Sequence, residues 1–432
     1  MNKKLSTGPY KGTRDFYPAD KAIQSYIFDV MAEVAELYGY EEYDGPILES
    51  TEIYRIKSGD EIVNQQTYTF EDRGGREVTI RPEMTPTVAR MVAAKRRELA
   101  FPLRWYSIPN LYRYEKPQRG RLREHWQLNA DIFGVNSVDA DIEIIQLANS
   151  IMQAFGAEEK NYEIRVNNRK LVNHFLYSVL NLSKENGNEL SKLIDRKDKM
   201  KPEAFQENLN SILPNYQEVF LNFINSKNID ELTIELQNSD GAKELNEVLT
   251  KLKSLGVNSA KFHPSLMRGF DYYTGGVFEV FDLHPENNRS LFGGGRYDNL
   301  VGDFGVDAVS GAGFGMGDVT IKDFLETYKL LPEIPSSTSI YICPLATEFF
   351  FECTKLATEL REHGINVAVD YSGKKVGAQI KTASSQKIPH VICIGEEEIK
   401  SRKIKIKDLE TREETELELD GLAEALLSTE YE

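Results

Sequence analysis

Residues 112–134 read "YRYEKPQRGRLREHWQLNADIFG", a cationic turn running straight into an alternating strand. Five of the twelve residues from Arg113 to Glu124 are Lys or Arg, in a chain of formal net charge −16. Arginine guanidinium groups match phosphate oxygens in geometry as well as charge. A solvated surface loop accounts for a charge run just as simply. The segment 115–124 is too long for a tight hairpin. Behind it, Trp126, Leu128, Ala130 and Ile132 share one strand face, and Gln127, Asn129, Asp131 and Phe133 share the other. The first face seeks a core. The second presents two amides and a carboxylate, enough to orient a small polar ligand. On this stretch alone, a strand facing solvent is the better account.

Working outward, 432 residues suggest two or three domains. A hydrophobic fraction of 41% with 10% aromatics supports complete cores and excludes a disordered chain. The acidic balance excludes wholesale coating of nucleic acid but permits a local basic patch, because screening confines each patch to its neighbourhood. Cys343, Cys353 and Cys393 form no CxxC or Cys/His spacing, which fits a reducing compartment and argues against disulfides and zinc. No segment approaches 18 consecutive apolar residues, and the N-terminus has no apolar signal core. The expectation is a soluble, cytoplasmic protein without a membrane partner.

In "DKAIQSYIFDVMAEVAELYGY", Ile23, Ile27, Val30, Met31, Val34 and Leu37 recur at helical spacing. Strand-like runs follow at 46–49, 66–71 and 76–82, then the helix "TPTVARMVAAKRREL", β runs at 102–114 and 124–134, and the helix "DADIEIIQLANSIMQAFG". From 171 to 258 Leu, Asn, Lys and Glu dominate at helical spacing, which predicts a helical insertion. β-type sequence resumes at 272–281, and a helix over 317–328 closes the unit. The first 330 residues therefore read as α+β, with one domain made of 1–170 and 259–330 and the insertion of 171–258 between. A Pro/Ser-rich linker, 331–339, leads to a β-α-β-α-β order over 338–432, a small α/β domain with a mainly parallel sheet.

Further polar residues gather in three places. In the strand 76–83, Glu77, Thr79, Arg81 and Glu83 point one way, although a Glu just before a helix also suits the helix dipole. "LMRGFDYYTGGVFEVF" sets Arg268 and Asp271 beside Tyr272 and Tyr273. "FGGGRYD" (292–298) puts three glycines, ending at Gly295, ahead of Arg296; such a run lets a backbone approach a ligand, or simply makes a turn. No Walker A or Rossmann pattern is present.

Together these stretches resemble the histidyl-tRNA synthetases, a family of class II aminoacyl-tRNA synthetases. "KGTRDFYP" resembles the family's N-terminal signature, and "GYEEYDGPILES", with Pro46, its dimer-forming motif 1. "RYEKPQRGRLREHWQLNADIFG" is similar to motif 2 and its loop, while "RGFDYYTG" and "GGGRYD" resemble the two histidine-specific segments. "GKKVGAQIKTASSQKIPHVICIG" resembles part of the anticodon-binding domain. The resemblance implies a class II catalytic domain, an antiparallel sheet flanked by helices, with a helical insertion and a C-terminal α/β anticodon-binding domain. It implies a homodimer that uses ATP and Mg²⁺ to join histidine to tRNA(His) through histidyl-adenylate. Under it, Arg113 holds the α-phosphate, with Glu115, Arg121, Gly295 and Arg296 also at ATP. Arg268 approaches the α-phosphate and the histidine carboxylate. Glu83, Thr85 and Gln127 take the ammonium, and Asp131, Tyr272 and Tyr273 surround the imidazole.

One departure stands out. In "GAGFGMGDVTI", Thr320 occupies the place where the family's motif 3 carries an arginine, with Arg296 and Arg119 as candidate replacements. The alternative is a non-catalytic paralogue, a regulatory subunit of ATP phosphoribosyltransferase. For tRNA, the residues 333–432 hold 12 Lys/Arg against 19 Asp/Glu, yet Lys374, Lys375, Lys381 and Lys387 gather around one helix. That helix is a phosphate-contacting edge or a solvated face.

Overall fold

The computed structural model describes residues 5–55, 66–197, 200–266, 272–287 and 289–429, in two compact units, Met1–Leu331 and Pro332–Glu432. Arg268 and Asp271 lie outside the described residues.

The first unit is built on a nine-stranded sheet. Its central run is antiparallel: Leu103–Ser107, Glu124–Phe133, Gly311–Gly317, Ser290–Arg296, Gly276–Asp282 and Tyr162–Asn168 pair in that order. Short parallel strands, Glu41–Glu42 and Ala260–Phe262, close its edges. The β run 102–114 is in fact two strands, because Pro109 has no N–H to give a ladder; Asn110–Tyr112 pairs separately with the start of Glu124–Phe133.

Helices Pro18–Leu37, Asp139–Ala154 and Asp318–Tyr328 cover one face of the sheet. Ile27, Met31, Ile144, Ile151 and Phe324 meet Leu128, Ala130 and Ile132 there, so this face is core. The opposite face carries the polar side chains. Around Arg169–Ser254 the chain is a run of helices sharing that same core. The last of them, Asp240–Ser254, lies against the sheet strand Tyr162–Asn168, the helix Asp139–Ala154 and the short helix Arg169–Asn173, where Gly241 touches the Leu171 backbone. Lys251 donates to Asp139 at 2.9 Å and Asn168 to Glu244 at 3.0 Å.

The second unit has a five-stranded sheet. Ile340–Pro344, Val367–Val369 and His390–Ile394 are parallel, and the antiparallel hairpin Lys403–Asp408/Glu414–Glu418 extends it. Alternate residues serve two layers: Ile340, Ile342 and Ile392 meet helix Phe350–Glu362, while Tyr341, Cys343 and Val391 meet helix Val376–Ser385. Among the described residues, no helix is long and apolar enough to cross a membrane.

Candidate active site

The polar face of Glu124–Phe133 does not face solvent: Asn129 and Asp131 are buried. The reason lies across the sheet. Gly313, Gly315 and Gly317 stand opposite Asp131, Asn129 and Gln127, and Gly295 and Gly293 stand opposite Gly313 and Gly315. Two neighbouring strands thus present bare backbone on the face where the third carries amides and a carboxylate. A Cβ at Gly313 would collide with the Asp131 carboxylate, and one at Gly315 would come within 2.6 Å of the Gln127 amide. Here the glycines make a floor, not a turn.

Over this floor opens a cleft with about 380 Å³ of empty space, lined by Glu83, Thr85, Arg113, Gln127, Tyr272 and Tyr273. Glu83 is buried and accepts from the Tyr272 hydroxyl at 3.4 Å. Thr85 begins the helix Thr85–Lys95, whose Val88, Ala89 and Val92 pack with Tyr272 and Tyr297 and hold this wall. Arg113 Nε donates to Pro82 O at 2.9 Å, leaving both Nη groups without a hydrogen-bond partner among the described residues. Burial pushes the Tyr272 and Tyr273 phenols well above the ordinary range.

Asp131 adjoins this cleft through Tyr297, a lining residue whose hydroxyl donates to Asp131 Oδ1. Asp131 Oδ2 has no hydrogen-bond partner among the described residues. Burial pushes the carboxyl pKa up to about 7, against the opposing pull of the Tyr297 bond. An unsatisfied buried carboxylate oxygen is costly and invites a donor. Tyr297 was absent from the sequence-derived site; period-two spacing from Gly293 and Gly295 is the signal that finds it.

The basic loop is more ordered than its length suggests. Its tip is a tight turn, with Gln118 and Arg121 exchanging backbone hydrogen bonds at 3.0 and 2.9 Å and Gly120 at φ +73°. The N-terminal segment braces its base: Arg123 and Glu124 donate to Gly12 O, and Arg14 reaches Asp318 at 2.7 Å. Arg123 stacks on Tyr114, 4.0 Å from the ring centroid. Glu115 and Arg121 stand on this loop, 4.0 Å apart, and do not line the cleft.

The structure does not bring Arg296 to the cleft. It follows Gly295 by one residue and so points through the sheet to the other side, where it is buried. Its donors go to Asp141, Ser310 Oγ, Asp298 and the carbonyls of Val135 and Ser137. Arg119 is likewise engaged, with Asp323 at 2.8 Å and Thr327 at 3.3 Å. Pro46 is exposed and does not line the cleft; Ile47 and Leu48, which follow it, are each nearly half exposed. In the second unit, Lys374, Lys375, Lys381 and Lys387 are all exposed, near exposed Tyr371.

A family model described as histidyl-tRNA synthetase matches residues 12–318, and one described as an anticodon binding domain matches 339–429. A histidine–tRNA ligase of Leptospira biflexa is 45% identical over 422 residues, 95% of each chain. One from Thermoplasma volcanium is 38% identical, covering 98% of this chain and 99% of its own. A crystal structure of histidyl-tRNA synthetase from Nostoc sp. PCC 7120 superposes with a TM-score of 0.82 at 24% identity, over 99% of this chain and 100% of that one.

Proposed function

This chain belongs to the histidyl-tRNA synthetase family, and from that premise we propose how its cleft joins histidine to tRNA(His) at the expense of ATP. The fold is the class II synthetase fold with a C-terminal anticodon-binding domain. In the first step a histidine carboxylate oxygen attacks the α-phosphorus of ATP. The bond from that phosphorus to the bridging oxygen breaks, and pyrophosphate leaves. In the second step a hydroxyl of the terminal adenosine of tRNA attacks the carbonyl carbon, and AMP leaves.

The observation that carries the residue assignments is the orphaned Oδ2 of Asp131, buried against Tyr297 and Gly313, which line a glycine-floored cleft that Glu83 also lines. An imidazole N–H satisfies that oxygen, and the ring's other nitrogen needs a second partner. Glu83, with Thr85 and Gln127, takes the ammonium. The unpaired Nη groups of Arg113 face the charge that grows on the α-phosphate, where fixed donors in a cleft are most effective. Arg268 takes the α-phosphate and histidine carboxylate role that the family motif gives it. Glu115 and Arg121, carried on the loop, close over the nucleotide; Gly295 supports the floor, and Arg296 has no part in ATP binding.

Among the described residues no three His, Cys, Asp or Glu side chains converge as a metal cage. In this reading Mg²⁺ enters with the ATP phosphates as part of the substrate, a mode its octahedral hydration favours. The exposed Ile47 and Leu48 that follow Pro46 are apolar side chains that a second copy would cover, making a homodimer. Exposed lysines around Val376–Ser385 contact tRNA phosphates, and the compartment is the cytoplasm. No observation favours the regulatory-subunit reading. The deciding experiment is histidine-dependent ATP–pyrophosphate exchange by the purified full chain. Exchange with histidine and Mg²⁺ is expected, and its absence overturns this function.

A further inference from the structure

Thr320 carries no charge and is not aimed at a ligand: its hydroxyl donates to Leu291 O at 2.9 Å and Gly317 O at 3.1 Å. Of the arginines nearby, Arg296 is buried on the other face of the sheet and Arg119 is paired with Asp323. Arg289 is different. Its Nη1 donates to the carbonyl of Arg119 at 2.7 Å, and its Nε and Nη2 have no hydrogen-bond partner among the described residues. Gly120 permits that approach. A Cβ there would overlap Arg289 Nη1 and lie 3.7 Å from Thr320 Cγ2, so the guanidinium, the loop tip and Thr320 share one corner.

That corner does not line the cleft itself, but two segments lead to it from there. The loop leaves the cleft at Arg113 and reaches its tip at Gly120. The strand Ser290–Arg296 leaves it at Gly293 and runs back to Arg289, about 13 Å along an extended chain. Both end at the same guanidinium. We propose that Arg289 is a nucleotide-positioning residue, binding the outer phosphates of ATP with its two open donors and replacing the cation that position 320 lacks. The proposal rests on the ATP-dependent reading above. A planar fork with one donor fixed on the loop is pre-organised to offer its others to phosphate oxygens.

The test is ATP–pyrophosphate exchange on the full chain, with KM measured separately for ATP and histidine. Arg289→Gln keeps a donor for the Arg119 carbonyl and removes the charge. It is expected to raise the ATP KM on the order of tenfold or more while the histidine KM stays within about twofold. Adding Thr320→Arg to that variant is expected to recover most of the loss. An unchanged ATP KM, an equal rise in both KM values, or no recovery with Thr320→Arg each overturns the proposal. If the unaltered protein shows no exchange at all, the failure lies with the proposed function and not with Arg289.

Discussion

Two arginines bracket one glycine-rich strand, and they do opposite things. Arg296, at the end of Ser290–Arg296, is buried and spends its donors on two carboxylates, a hydroxyl and two carbonyls. Arg289, just ahead of the strand, makes one side-chain hydrogen bond and leaves its Nε and Nη2 open among the described residues. Their motif context marks Arg296 as the ligand-binding residue. The difference teaches that a cation binds substrate through the donors its own fold leaves unsatisfied, and a saturated guanidinium is a structural element whatever motif surrounds it.

The comparison breaks if both arginines behave alike. Arg296→Met leaves the Asp141 carboxyl buried without its partner, and should lower stability by about 3–5 kcal/mol, whereas Arg289→Met should cost less than about 0.5 kcal/mol. Thermal melts of the two variants decide it.

A carboxylate offers the next test. The Asp131 pKa, raised to about 7 by burial, means that the empty folded protein holds a proton there which the unfolded chain releases near pH 4. The folded state binds more protons in that window, so stability is greatest below it and falls as pH rises from about 4 to about 7, by up to about 4 kcal/mol. Denaturation midpoints across that range should show the fall in the ligand-free protein. Asp131→Asn should remove this component, and an unchanged pH dependence would show that Asp131 is not the group responsible.

The same Asp131→Asn variant should raise the histidine KM about a hundredfold with little change for ATP, because the amide has one accepting oxygen where the carboxylate serves both Tyr297 and an imidazole N–H. Exchange kinetics at varied histidine would check this. Gly315→Ala probes the floor: the added methyl presses on the Gln127 amide, and a histidine KM raised roughly tenfold is expected with the ATP KM nearly unchanged. The smallest effect belongs to the second unit. Lys374→Glu with Lys375→Glu should raise the KM for tRNA about threefold, more at low salt, and leave pyrophosphate exchange intact. Aminoacylation at two ionic strengths separates these outcomes.

Much of this was legible from residue order. Helical periodicity located Pro18–Leu37, Asp139–Ala154 and Asp318–Tyr328, since amphipathic spacing is a local property of a chain. Strand alternation put Gln127, Asn129 and Asp131 on one face, and the joint motifs identified the family. The Gln118–Arg121 turn was less legible, because a long cationic segment conceals the two residues that reverse direction. The same holds for the hairpin after His390–Ile394, whose strands alternate charged with apolar residues as an exposed edge does.

By itself the sequence determined which residues share a face, where helices run and which chemistry the motifs suit. It could not decide which face is buried or which charges are already satisfied. Those depend on partners far along the chain: Gly313 opposite Asp131, Asp141 beneath Arg296, and Gly120 meeting Arg289. Burial and hydrogen-bond saturation are properties of assembled neighbours, and only the tertiary structure brings those neighbours together.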